Sequence, residues 1–226
     1  MNHINKIRAE IKTFFDPKGL EKESEESFES PNGKYRLETS NYWQDKEDVN
    51  WDVTKVEIYN NKSQEKIFDF FGNDGRFFHQ WLNKNGVEFL ICAEDLFGGQ
   101  TVIDLTNRRM ESFSPDEDGF IWTNFHLSPD GKTLATIGCY WACPYLIKIY
   151  DFQEPLILPL TELNEIELLD ADEIITGWLD NETLKMKGIK REKEMEKFQD
   201  GSFRMKTINE TPIERKIKAL KHNNVS

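Results

Sequence analysis

The sequence has little of what membrane-spanning, exported or disulfide-stabilised proteins need. Its 226 residues include only three cysteines, an odd number that cannot all pair with one another. Its longest apolar runs are a few residues, such as Leu156–Leu158, so no transmembrane helix is expected. The N-terminal segment MNHINKIRAEIKTFF has no continuous apolar core, so no signal peptide is expected. These absences predict a cytoplasmic protein with reduced thiols.

Positive charge is scarce as well. The chain has 29 Lys and Arg against 41 Asp and Glu, a formal net charge of −12. Nucleic acids and anionic membranes bind clustered cations, so neither is expected as a partner. A basic protein partner fits this charge, and so does plain solubility. The basic residues that gather late in the chain fit a solvated face, closure against acidic units, or self-association; they are Lys185, Lys187, Lys190, Arg191, Lys193, Arg215, Lys216, Lys218 and Lys221.

Motifs for catalysis and cofactor binding are also missing. The sequence contains no Gly-x-Ser-x-Gly elbow, P-loop or Rossmann glycine pattern. The candidate thiol and imidazole ligands are Cys92, Cys139, Cys143, His79 and His126. His79 and His126, and likewise Cys92 and Cys139, are 47 residues apart. Four such ligands could hold zinc, but residues that match between repeats are more often equivalent in packing. We therefore predict no metal, no cofactor and no catalytic residue.

The N-terminal segment, residues 1–20, is predicted to be a helix and its stop. Residues 4–15 carry apolar side chains at helical spacing, and the sequence DPKG at 16–19 disfavours continuation of a helix. The apolar face consists of Ile4, Ile7, Ile11 and Phe14. Residues 21–226 are predicted to form a single β domain, because short β-like runs alternate there with turn residues.

The β-like runs repeat. SPNGKYRLETSNYW at 30–43 aligns without a gap on SPDGKTLATIGCYW at 128–141. A third copy, FFHQWLNKNGVEFLIC at 77–92, lies between them, and a weaker fourth copy lies at 174–188. Periods of about 45 to 50 residues are typical of propellers and solenoids. Each period has room for four short strands, so the repeat predicts a series of small antiparallel sheets.

The third unit, SPDGKTLATIG…LIKIYDF, resembles a blade of the WD-repeat or TolB-like β-propeller class, and the resemblance covers about residues 25–190. The chain departs from the WD pattern because no Gly-His opens a blade and no Trp-Asp closes a third strand. We predict a mainly β fold, a small or partial β-propeller-like array of about four antiparallel four-stranded blades. The approximate units are 25–72, 73–115, 116–161 and 162–220. Terminal blades need a cover, for which the helix and residues 211–221 are the candidates.

The resemblance also implies a surface. In a propeller blade, the loop between the second and third strands emerges on the same rim as the loop that leads to the next blade. The former loops are predicted at 42–52, 93–99 and 140–145, and the latter at 72–76, 115–119 and 162–172. Aromatic and acidic residues gather in these segments. The predicted binding residues are Tyr42, Trp43, Trp51, Asp52, Asp95, Phe97, Tyr140, Trp141 and Tyr145.

Large aromatic side chains provide contact area, and carboxylates steer basic partners towards them. The first hypothesis is therefore a non-enzymatic protein-binding module, in one version an inhibitor or immunity-type protein for a basic partner. If the aromatics instead fold inward, the carboxylates only provide solubility. The second hypothesis is an enzyme or a binder of a small, sugar-like ligand that uses carboxylates and aromatics in a central funnel. The fold does not decide between these two hypotheses, and the sequence does not give the oligomeric state.

Overall fold

The structure is a computed structural model that describes residues 3–14, 21–46, 49–73, 75–93, 98–117, 119–141, 143–169, 172–197 and 202–220. In this part of the chain, one helix, α1 (His3–Phe14), precedes fifteen strands. They are β1 (Glu21–Glu29), β2 (Tyr35–Lys46), β3 (Val49–Asn60), β4 (Glu65–Gly72), β5 (His79–Lys84), β6 (Val87–Ala93), β7 (Gln100–Asp104), β8 (Arg109–Phe113), β9 (Ile121–Leu127), β10 (Thr133–Cys139), β11 (Leu146–Asp151), β12 (Glu162–Glu167), β13 (Ile174–Trp178), β14 (Thr183–Lys197) and β15 (Phe203–Lys218).

The strands form four antiparallel sheets, each ordered as in the chain. The first sheet is β1–β4, the second β5–β8, the third β9–β12 and the fourth β13–β15. The prediction of a mainly β, propeller-like array with an N-terminal helix is confirmed. The fourth sheet differs in having three described strands. The division into units placed residues 162–167 in the fourth unit, whereas they form β12 and pair with β11 in the third sheet.

The repeated turns have the same hydrogen bonds. The backbone N–H of Ser30 donates to the carbonyl of Tyr35 at 2.9 Å, and that of Ser128 donates to the carbonyl of Thr133 at 2.8 Å. The hydroxyl of each serine accepts a bond from the N–H of the same partner at 3.0 Å. The turn glycines have φ angles of 69° and 70°, a conformation that glycine adopts without strain. The gapless alignment of 30–43 on 128–141 therefore starts from the same local geometry.

Neighbouring sheets pack face to face through three buried clusters. The first and second sheets share Leu37, Val56, Ile58, Leu90, Cys92 and Ile103. The second and third share Phe89, Ile91, Val102, Trp122, Leu134 and Tyr150. The third and fourth share Ala135, Ile137, Ile147, Ile149, Leu184 and Met186. Among the described residues no buried cluster joins the fourth sheet to the first, so the sheets form an open stack.

The opening strands of the sheets contact one another along one side of the stack. The ring of Phe28 in β1 meets the ring of His79 in β5 edge to face, with centroids 4.6 Å apart. The indole N–H of Trp178 in β13 donates to the carbonyl of His126 in β9 at 3.0 Å. The first strand of each sheet is therefore the inner strand, as it is in a propeller.

The two end sheets expose charged outer faces. On the first sheet, Arg36 pairs with Glu38 at 2.7 Å, and Glu57 pairs with Lys55 at 2.8 Å and with Lys66 at 3.0 Å. Side chains alternate across a sheet, so these residues lie on the face opposite Leu37 and Ile58. On the fourth sheet, the face opposite Leu184 and Met186 has more cations than carboxylates. It carries Lys185, Lys187, Lys216 and Lys218 with Glu214.

The prediction that the N-terminal helix and residues 211–221 cover the faces of the terminal blades is wrong for both segments. Helix α1 lies against the last strands of the first two sheets: Arg8 stacks 5.2 Å from the ring centroid of Phe70 in β4 and donates to the hydroxyl of Ser112 in β8 at 2.7 Å. Ile4 and Ile11 are buried, as the helical pattern predicted. Most of residues 211–221 belong to β15 and pair with β14. No lid is needed, because the outer faces are charged.

In the described part of the chain, no helix is long and apolar enough to cross a lipid bilayer. Helix α1 has twelve residues, and charged side chains occur along most of its length.

Strand register does not keep the 47-residue offset at which the histidine and cysteine pairs recur in the sequence. In the second sheet, Trp81, Leu90 and Ile103 lie side by side on three neighbouring strands, and the matching residues of the third sheet are Leu127, Leu134 and Tyr150. The offsets between matched residues are 46, 44 and 47. Turns and hairpins of different length change the offset from strand to strand.

The predicted equivalence of cysteines and histidines is wrong for this reason. His79 lies opposite Cys92, whereas His126 lies opposite Ala135 and Cys139 lies opposite Ile121. The recurring spacing in the sequence therefore does not reflect a shared position in the fold.

Candidate functional site

The ends of the hairpins and the linkers between sheets meet on one rim. A Cβ atom at Gly75 would lie 3.2 Å from the Cβ of Asp52, and one at Gly98 would lie 2.6 Å from the carbonyl carbon of Gly119. The ring of Tyr140 lies 5.6 Å from that of Phe120. Each contact joins a hairpin end to a linker. We call the described residues of 42–52, 72–76, 98–99, 114–120 and 140–145 the rim.

Lys148 in β11 anchors the hairpin loop 140–145. Its ammonium group is buried and donates to the Tyr140 hydroxyl at 2.7 Å and to Glu162 Oε2 at 2.5 Å. It also lies 5.2 Å from the ring centroid of Phe120 and 5.0 Å from that of Tyr140. Burial alone would lower the pKa of Lys148, but the hydrogen bonds to Glu162 and Tyr140 raise it above its ordinary value. The lysine stays charged and fixes the base of the loop.

The rest of this loop presents aromatic rings to solvent. Trp141 is 59% exposed and Tyr145 is 41% exposed. The N–H of Cys143 donates to the carbonyl of Tyr140 at 2.9 Å, which closes a tight turn around Trp141. The predicted loop 140–145 thus connects β10 and β11, with Tyr140 facing inward and Trp141 outward.

The corresponding segment of the first sheet is not a loop from 42 to 52. Strands β2 and β3 continue through it, with Trp43 opposite Asp52 and Lys46 opposite Val49. The physical reason is the alternation of apolar residues at 49, 51 and 53, which favours a paired strand. Tyr42 and Trp43 are half-buried and Asp52 is exposed. The β2–β3 hairpin therefore extends further than the β10–β11 hairpin.

Three predicted binding residues are not placed by the structure. Asp95 and Phe97 lie outside the described residues, and only the backbone pairing of Trp51 is described. The structure thus places Asp52, in the β2–β3 hairpin, and Tyr140, Trp141 and Tyr145, in the β10–β11 hairpin, on the rim. Tyr42 and Trp43 are half-buried in the β2–β3 hairpin.

Acidic side chains accompany the aromatics. Asp116 and Glu117, in the linker before β9, are exposed like Asp52. The predicted linker 162–172 begins within β12, so its first carboxylates belong to a strand and Glu162 binds Lys148. Beyond that linker, Glu173 is buried and accepts hydrogen bonds from Arg215, with Oε2 2.6 Å from Nη2. That pair fixes the fourth sheet.

The cysteines do not assemble a metal site in the described residues, which contain no group of three His, Cys, Asp or Glu side chains able to hold an ion. Cys92 is buried, and burial raises the pKa of the Cys139 thiol. A raised pKa keeps a thiol protonated and a poor nucleophile.

A second concave region lies where the inner strands meet. We call it the axial groove; its volume is about 590 Å³ and it includes residues of β5, β9 and β13. Its aromatic side chains are Trp81, Phe125 and Trp178, and its polar side chains are Gln80, Asn83, Asn124, His126 and Ser128. His126 Nε2 is buried and has no hydrogen-bond partner among the described residues, and burial lowers the pKa of this histidine. The described lining of the groove offers amides and an imidazole, whereas the second hypothesis predicted carboxylates.

Sequence reasoning missed Lys148 and the axial groove. A lysine in the apolar run LIKIY is the one available signal for Lys148, because a lysine in the middle of a buried strand needs a partner. No comparable signal identifies the groove, since it depends on how β5, β9 and β13 approach one another.

No family model matches the chain. It is 30% identical over 128 residues to the uncharacterized protein R762 of Acanthamoeba polyphaga mimivirus, a match that covers 56% of this chain and 50% of that protein. The chain thus spans about half the length of this curated relative. Among solved structures, the β-propeller domain of Cps50 (Swd1) from Myceliophteria thermophila is similar, with a TM-score of 0.38, 10% sequence identity, and coverage of 80% of this chain and 72% of that one.

Proposed function

We propose that this chain is a non-enzymatic protein-binding module that contacts its partner through the rim. The observation that carries the proposal is the exposure of Trp141 and Tyr145 on a loop whose base is fixed by Lys148. Exposed aromatics on a rigid support give contact area at a small entropy cost, which is typical of binding hot spots.

The partner that fits best is a basic protein. Asp52, Asp116 and Glu117 are exposed on the rim, and the chain as a whole carries a net charge of −12. Carboxylates around an aromatic centre steer cationic surfaces towards it and suppress acidic competitors. An inhibitor or immunity-type protein for a basic enzyme is the specific version of this proposal, and it rests on charge and size.

The axial groove supports a second candidate function, the binding of a small sugar-like ligand. Trp81 and Trp178 provide flat apolar rings, and Asn83 and Asn124 provide amides that can donate and accept hydrogen bonds. Most polar groups of the described lining are amides, and the Ser128 hydroxyl donates to Asp130 within its own turn, so the groove favours binding over catalysis. A basic protein at the rim and a ligand in the groove use different residues, so the two candidates can be separated.

The test uses the double variant Trp141→Ala/Tyr145→Ala. Both side chains are exposed, so the melting temperature should change by no more than a few degrees. Basic proteins from the source cell, captured on the immobilised wild-type chain, should bind the variant about tenfold or more weakly by calorimetry. Equal affinity for the variant overturns the rim as the binding site.

A matched control is the double variant Asn83→Ala/Asn124→Ala in the axial groove. It should leave the affinity for the basic partner unchanged and should abolish any sugar binding seen by titration of the wild type with a panel of mono- and disaccharides. If it weakens the protein partner and the rim variant does not, the partner binds in the groove.

A further inference from the structure

The fourth sheet extends into a two-stranded arm. Strand β13 pairs with β14 only as far as Lys187, while β14 and β15 stay paired out to Lys197 and Phe203. We call 188–197 with 203–213 the arm. Ten residues of strand reach about 33 Å. A two-stranded ribbon of this kind is only marginally stable alone in water, so this one would gain from a surface to lie on.

The arm has two different faces. Met195 lies opposite Met205, and Lys197 lies opposite Phe203 with its Nζ 5.8 Å from the ring centroid. Met195 is 68% exposed, Phe203 60% and Met205 61%. Lys193 belongs to the same face, because residues two apart in a strand point the same way. The opposite face carries Glu192, Glu194, Glu196, Arg204 and Lys206. This first face is thus apolar and net cationic, although Glu210 lies opposite Arg191 on it, and the other face has mixed charge.

A groove of matching chemistry lies along the outer edge of the second sheet. We call it the outer groove; it is an open depression of about 590 Å³ between β8, the start of α1 and the segment after β11. Its apolar residues include Phe113 and Ile157, and Ile157 is 63% exposed. Its carboxylates are Glu111 and Asp116. A smaller depression of about 290 Å³ that also includes Ile157 adds Asp151 and Glu154.

We propose that the arm of one chain binds in the outer groove of a second copy of the same chain. The apolar residues of the arm would cover Ile157 and Phe113, and Lys193 and Lys197 would face the carboxylates of the groove. The cationic apolar face of an arm would be repelled by the same face of another arm, so charge favours arm-to-groove contact over arm-to-arm contact. Because each chain has both surfaces, reciprocal exchange gives a closed dimer.

The experiment measures the mass of the full chain by sedimentation velocity from about 1 to 100 µM, at about 50 mM and 500 mM salt. The wild type should form a dimer that weakens at high salt, because screened charges attract less. Phe203→Ser in the arm and Ile157→Ser in the groove should each raise the dimer dissociation constant about tenfold or more. Lys206→Ser, on the other face of the arm, should leave it unchanged, and so should the rim variant Trp141→Ala.

A mixture of the arm variant and the groove variant distinguishes an arm-to-groove dimer from dimers formed through other surfaces. The Phe203→Ser chain keeps an intact groove, and the Ile157→Ser chain keeps an intact arm. An equimolar mixture should therefore associate more tightly than either variant alone and less tightly than the wild type. Circular dichroism on each variant shows that the fold is kept. A wild type that is monomeric at the highest concentration overturns the proposal, and so does a mixture that associates no better than its components.

Discussion

The first and fourth sheets lie at the two ends of the same stack. In each, the outer face has charged residues at positions where an inner sheet has apolar ones, and the two outer faces are opposite faces of the repeated sheet. In the third sheet, Leu134 and Tyr150 are buried against the second sheet. Alignment of the first sheet on the shared turn puts Arg36 and Tyr59 at the corresponding positions. The guanidinium of Arg36 lies 4.9 Å from the ring centroid of Tyr59. An apolar contact surface has become a solvated one, with the aromatic ring retained.

The fourth sheet repeats this change on its other face. The third sheet buries Ala135, Ile137, Ile147 and Ile149 against it. The N–H of Phe152 donates to the carbonyl of Lys132 in the third sheet, and the N–H of Ala219 donates to the carbonyl of Glu182 in the fourth. These two hydrogen bonds occupy the same place in their sheets, so they can be used to align the two sheets residue by residue. The corresponding residues of the fourth sheet are Lys185, Lys187, Glu214 and Lys216. A repeat array needs polar outer faces at its ends to stay soluble, and here each end sheet supplies its own.

The largest expected effect comes from the buried faces of the two end sheets. Leu37→Ala and Leu184→Ala each remove a fully buried side chain and should each cost about 3 kcal/mol of the free energy of unfolding. Urea unfolding measures both. If one of them costs less than about 1 kcal/mol, that end sheet is not packed on its neighbour as described.

Arg215→Ala should have the next largest effect, about 2 kcal/mol, because it leaves the buried Glu173 carboxylate without this hydrogen-bond donor. The first sheet has no counterpart to this pair in its described residues, so the loss should be specific to the fourth sheet. Hydrogen exchange should show faster exchange in β13 and unchanged exchange in β2. Faster exchange at both ends would mean that the sheets unfold as one unit.

Acid should weaken both ends through a histidine at each. Burial lowers the pKa of His79, between the first and second sheets, and that of His126, at the contact with the fourth. The unfolded chain, with ordinary histidines near about 6.5, then binds more protons than the folded chain, so stability falls as the pH is lowered from 7 to 5. His79→Leu and His126→Leu should each flatten this dependence in thermal melts at several pH values. A dependence that stays as steep in both variants assigns it to other groups.

The smallest effect on stability should come from the outer face of the fourth sheet. Lys187→Ile with Lys216→Ile gives it the residues that the third sheet has at those positions, and it should change the free energy of unfolding by less than about 1 kcal/mol. It should nevertheless cause concentration-dependent association in light scattering, because the face becomes apolar. The matched control, Lys187→Gln with Lys216→Gln, should remain dispersed.

Local features of the fold could be predicted from the sequence. The turns at 30–35 and 128–133 are set by short-range hydrogen bonds, in which Asn32 and Asp130 accept from the N–H two residues later. Such bonds depend on neighbouring residues only, so the motif is sufficient to identify them. The number of sheets, the helix and the β10–β11 hairpin follow from the same kind of pattern.

Features that depend on register or on distant contacts could not be predicted. The match of His79 with His126 failed because the offset between units differs from strand to strand. The inward direction of Tyr140 depends on Lys148 and Glu162, which only the folded hairpin and sheet bring together. The basic residues late in the chain indicated a solvated face, but which of them share one face of the fourth sheet depends on the register of β14 and β15.

The open stack has a consequence for how such a chain can change in length. A closed ring fixes its number of members through its circumference, and the loss of one member leaves a gap. Here, the second and third sheets are each apolar on both faces, so a copy of either could be inserted or deleted while the charged outer faces of the two end sheets stay as they are. Adding a sheet beyond the first or the fourth would first require apolar residues in place of the charged ones on the outer face of that end sheet.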